Sequence, residues 1–191
     1  MDATVNAGAA PYSEPSGVSA TAAGALGLVL GASNLIGAGM LLIAFRSDPD
    51  EFDNSLTIFA TLGALLLAFA LIYGAILLFR RDETGRYTFT VASGLMIAIA
   101  LAALACSLTH HEFSYGIHWF DEGTRAADAL QSTFGLVGTL TALVHTDWLA
   151  GLTAMVVPLV TFRTAASSYT ARWVAAPPRR RAVPHPDEPV Y

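Results

Sequence analysis

Residues 129–162, "ALQSTFGLVGTLTALVHTDWLAGLTAMVVPLVTF", run for 34 positions broken only halfway, by His145, Thr146 and Asp147. As one straight helix the stretch would reach ~50 Å, far beyond the ~30 Å hydrocarbon core of a bilayer. As two crossings, each would sit at the short limit of ~17 residues. Whether it crosses once or twice decides the fold, and the arginines around it settle the count.

All ten basic residues are arginine. Three of them, Arg80, Arg81 and Arg86, stand in "RRDETGR", while Arg163, Arg172 and Arg179 to Arg181 follow residue 162. In contrast, "RSDPDEFDNS" (46–55) carries one arginine against four acids, and 109–128 holds only Arg125. Cytoplasmic loops concentrate arginine. Residues 80–87 and the C-terminal segment therefore belong on one side, which requires an even number of crossings between them. Two are available there, one of them within 129–162.

The rest of the chain agrees. With 54% hydrophobic residues, 13% charged and a mean hydropathy of +0.53, it has too little polar surface for a water-facing globule. Residues 22–45, 56–79 and 88–108 are apolar, uncharged and long enough to cross. Backbone facing lipid must satisfy its own hydrogen bonds, so each is expected to be helical. The expected fold is an all-α integral membrane protein, a bundle of four transmembrane helices in a domain spanning 22–163. The fourth span is placed at 144–162. Residues 125–143 are read as an outer interfacial or re-entrant helix, with a longer tilted fourth helix from near Thr133 as the competing description.

Residues 1–21 have no basic residue and no secretory core, and read as a disordered cytoplasmic tail. Residues 164–191 contain five of the nine prolines and read as a Pro/Arg-rich cytoplasmic extension without packed elements. Its arginines fix topology or attract anionic lipid. The location implied is the plasma membrane, multi-pass, with both termini inside. The lysine-free, alanine-rich composition points to a prokaryotic source.

Gly27, Gly31, Asn34 and Ala38 fall on one face of the first span at helical spacing. Small residues let backbones approach closely, and an amide in hydrocarbon needs a partner. This face is read as helix-packing, within the bundle or against another membrane protein or a second copy. Ala60, Ala64 and Ala68 form a similar strip on the second span.

"THHEFSYGIHWFDEGTR" (109–125) gathers three of the five histidines, with His145 and Asp147 on the same side under this topology. His110, His111, His118, His145 and Asp147 have the right donor types for a transition metal, and His110 facing His145 could hold a haem. No strong motif supports this: "HHEFSYGIH" lacks the second histidine of H-E-x-x-H. An interfacial loop with an aromatic belt explains the same residues. The single cysteine, Cys106, excludes an internal disulfide.

Two function classes follow. One is a small membrane protein without catalytic machinery, an accessory or assembly subunit that meets membrane lipids and a membrane-protein partner or its own copy. The other is an outer-facing metal- or haem-binding, redox-active protein. Nothing suggests nucleic-acid binding.

Overall fold

The computed structural model describes residues 17–47, 49, 54–109 and 129–176. In chain order the helices are α1 (Val18–Ser47), α2 (Asn54–Phe79), α3 (Glu83–Leu108), α4 (Gly135–His145), α5 (Trp148–Ala166) and α6 (Ser168–Ala175). The described chain is an all-α membrane bundle. Helices α1, α2, α3 and α5 are long and apolar enough to cross a bilayer.

The crossing helices are apolar all round, so hydropathy does not tell their inner faces from their outer ones. Residue size does. On α1 the buried positions are mostly small (Ala20, Ala23, Gly27, Gly31, Ala38), while Val29, Ile36 and Ile43 point outward. On α2, Ala60, Ala64, Ala68 and Ala75 are buried, and Phe59, Leu66 and Phe69 are exposed. Lipid is as apolar as leucine, so close backbone packing is what holds such a bundle together. The most extensive pairings are α1 with α2 and α3 with α5.

Arg80, Arg81, Arg86, Arg163 and Arg172 come together at one end of the bundle, where the start of α1 also lies; Arg46 ends α1 at the other. These ends are called here the arginine-rich and arginine-poor ends.

Several boundaries differ from the sequence reading. The fourth span is Trp148–Ala166 rather than 144–162, because Thr146 takes a left-handed conformation (φ 53°) and Asp147 starts a new helix by accepting the Leu149 N–H at 2.9 Å. That turn also rules out one long fourth helix from Thr133. Asp82 caps α3 in the same way, so α3 begins five residues before the apolar run. Residues 18–21, assigned to a tail, open α1, while 1–16 lie outside the described residues.

The C-terminal segment also contains a packed element. Helix α6 packs against α1, α3 and α5 at the arginine-rich end. Ser167 caps it, and the buried Thr170 hydroxyl shares a hydrogen bond with Ser19 at 2.5 Å. The Arg81 guanidinium stacks over Trp173, with its carbon 4.9 Å from the ring centre, and donates to the Ala176 carbonyl at 3.4 Å. A cation there also suits the negative end of the helix dipole.

Candidate functional site

The four small-face residues all turn into the chain's own core. A methyl group at Gly27 would collide with the Phe89 ring of α3. One at Gly31 would lie 2.9 Å from Ile72 Cγ1 and 3.4 Å from the Ala68 carbonyl oxygen of α2. Ala38 is 1% exposed and Asn34 fully buried. This face serves intramolecular packing.

Asn34 does more than pack. It sits near the middle of α1, and its Oδ1 accepts the Leu136 N–H of α4 at 2.9 Å. Its Nδ2 donates to the Leu30 carbonyl at 2.8 Å. The first turn of any helix leaves N–H groups without intrahelical partners. The local cap position of α4, Phe134, offers no side-chain acceptor. Asn34 therefore supplies from another helix the cap that α4 lacks in sequence. Gly135 takes φ +66°, and any side chain there would run into Asn34, so glycine is required for both reasons.

Helix α4 is thus a half-helix. Its 11 residues cover ~16 Å, half a bilayer. It starts beside Asn34 at mid-depth, packs against α1, α2, α3 and α5, and ends at His145 at the arginine-poor end. Seven of its residues are buried, including Leu136, Val137 and Thr139. The short helix expected within 125–143 is found at Gly135–His145, as a buried wedge rather than a helix lying on the surface.

The wedge shapes its neighbours. Towards the arginine-rich end α2 and α3 nearly touch: a methyl at Gly85 would come 2.6 Å from the Gly74 carbonyl oxygen. Further along, Leu136 inserts so closely that a methyl at Gly63 would lie 2.7 Å from its Cδ2. Beyond the Gly74–Gly85 contact the α2–α3 pair opens into a V, with Leu136 in the opening. The opening is a lateral groove of about 670 Å³, lined by Gly63, Ala70, Thr88, Val91, Leu95 and Leu136 among others, and almost wholly apolar.

Of the metal-ligand candidates, His110, His111 and His118 lie outside the described residues. His145 is the last residue of α4, and Asp147 caps α5 with one carboxylate oxygen. Among the described residues no group of three or more metal-binding side chains converges. Asp82, in the turn before α3, has its carboxyl held below the ordinary value of 3.8 by hydrogen bonds from the Thr84 hydroxyl and backbone N–H.

Sequence reading singled out Asn34 but not its partner. The wedge residues Gly135 and Leu136 and the hydrogen-bonded pair Ser132 and Thr153 were not identified. "STFGLVG" carries no motif, and its one signal is glycine at the start of an apolar run.

No protein-family model, no curated protein and no solved structure matches this chain.

Proposed function

We propose that this protein is a non-catalytic accessory or assembly subunit of a larger membrane complex, and that the V between α2 and α3 receives a transmembrane helix of its partner. One observation carries the reading: the chain buries a half-helix that keeps this V open instead of letting two small-residue helices close on each other. Helix association in lipid depends on shape and close packing rather than on hydrophobic drive. A preformed apolar groove with small residues (Gly63, Ala70, Ala92) on its walls suits an incoming helix ridge. The small face of α1 is consumed internally, which leaves this groove as the shaped surface for a partner.

In this reading the protein resides in the plasma membrane of a prokaryote, with the arginine-rich end and both termini in the cytoplasm. The orientation is testable with single cysteines at Ser55 and Ser168 in a Cys106→Ala background. Both positions are exposed, whereas Ser167 caps α6 and is unsuitable. An impermeant thiol reagent on intact cells should label Ser55→Cys alone; labelling of Ser168→Cys alone would reverse the assignment.

The partner is testable by placing a photo-crosslinking amino acid at Val91, in the groove, or at Val29, exposed on α1. A discrete protein adduct at Val91, absent at Val29 and lost when Ala70→Trp fills the groove, is the expected outcome. Equal adducts at both positions, or lipid adducts alone, would remove the docking role.

A further inference from the structure

The seat of α4 against α5 contains two buried backbone groups that lack their usual helical partner. Pro158 lies inside α5 and is almost completely buried. It has no N–H to give the carbonyl of Ala154, one turn earlier, and Ala154 is itself 4% exposed. Among the described residues no side-chain donor reaches that carbonyl either; the nearby Thr161 hydroxyl donates to Val157 instead. Opposite lies the first turn of α4. Asn34 takes the N–H of Leu136, whereas the N–H of Gly135 has no acceptor among the described residues. At mid-depth in a bilayer neither group can turn to bulk water.

Gly135, Ala154 and Pro158 line the same small internal cavity, together with Ser132, Thr153 and Met96. Its free volume is about 10 Å³, close to the ~10–15 Å³ that a single water needs. Ser132 is 1% exposed. Its hydroxyl donates to the Ala129 carbonyl at 2.7 Å and lies 2.5 Å from the Thr153 hydroxyl, leaving an oxygen lone pair beside the cavity.

These groups define the occupant by chemistry. It must accept from the Gly135 N–H and donate to the Ala154 carbonyl. A metal cation cannot accept a hydrogen bond, and the positive end of α4 disfavours one. An aprotic anion cannot donate, and the volume excludes anything larger than water. We infer that one ordered water bridges the Gly135 N–H, the Ala154 carbonyl and the Ser132 oxygen, joining the half-helix to the proline break of α5. Three hydrogen bonds are usual for a buried water. The site is independent of whatever occupies the lateral groove.

The test is water–amide cross-relaxation by NMR on the full-length, ¹⁵N-labelled protein in deuterated lipid bicelles, read at the Gly135 amide. The native chain should give a water cross-peak there. Pro158→Ala supplies an N–H for the Ala154 carbonyl in a residue that favours helix, so the water keeps as acceptor only the Ser132 oxygen, already shared with Thr153, and the cross-peak should be lost. Ser132→Ala removes only the third contact and should weaken the peak without abolishing it. No cross-peak in the native chain would mean a dry joint. An unchanged peak in Pro158→Ala, or one lost only in Ser132→Ala, would assign the signal to hydroxyl exchange. A Gly135 resonance that moves when sodium or potassium is replaced by choline would make the site a cation site. Each of these three results overturns the inference.

Discussion

The two long faces of α2 meet their neighbours in opposite ways. Ala60, Ala64 and Ala68 face inward, and at Gly31 α1 comes to near backbone contact with this strip. The other face, with Gly63 and Ala70, also presents small residues, yet α3 stands away from it and a groove results. Small residues permit close approach but do not compel it. The two cases differ at Leu136, whose Cδ2 would lie 2.7 Å from a methyl at Gly63 on the open face.

The largest expected effect breaks the closed seam. Gly27→Leu forces a branched side chain into the space of the Phe89 ring, and overpacking of this kind costs ~1–3 kcal/mol, here towards the upper end. Reversible unfolding in mixed micelles should show the loss, with Gly31→Leu milder because Ile72 is a flexible neighbour. Stability unchanged by both substitutions would mean that the seam is looser than described. Next comes the support of the wedge. Asn34→Ala leaves the Leu136 N–H buried and unpaired, a loss of ~1–3 kcal/mol. Faster amide exchange should appear in α4 before it appears in α1 or α2. Uniform exchange across the bundle would show that Asn34 does not seat α4 specifically. The smallest effect belongs to the open groove. Ala70→Trp projects into free volume and should change stability by no more than ~0.5 kcal/mol, even as it blocks partner crosslinking. A large loss of stability would show that α2 and α3 are in contact there.

These differences track what was legible in the sequence. The four spanning helices and the grouping of their arginines at one end were readable, because length, hydropathy and arginine placement each report directly on a bilayer. Helix starts are legible in polar caps rather than in hydropathy: Asp82 and Asp147 each open a helix. Asn34 stood out as a polar residue in hydrocarbon. Its role did not, because the acceptor it offers goes to Leu136, a hundred and two residues away, and no local pattern encodes that pairing. The wedge itself was ambiguous for a physical reason. An 11-residue apolar helix is too short to cross yet as hydrophobic as one that does, so composition alone cannot say whether it lies on a membrane or inside a bundle. As for the histidine-rich loop, three of its metal-ligand candidates fall outside the described residues, and Asp147 is already occupied as a cap.

The most direct test of the wedge-held groove is a pair of spin labels across it, at Leu66 and Leu95, in a Cys106→Ala background reconstituted in lipid nanodiscs. Both positions are exposed and line the groove. A control pair at Val29 and Phe69 reports on the α1–α2 seam. Pulsed electron–electron distance measurements should give one well-defined separation across the groove, which shortens and broadens in Leu136→Ala while the control pair holds its distance. An α2–α3 separation unmoved by Leu136→Ala, or one that collapses in the native chain on reconstitution, would contradict the account.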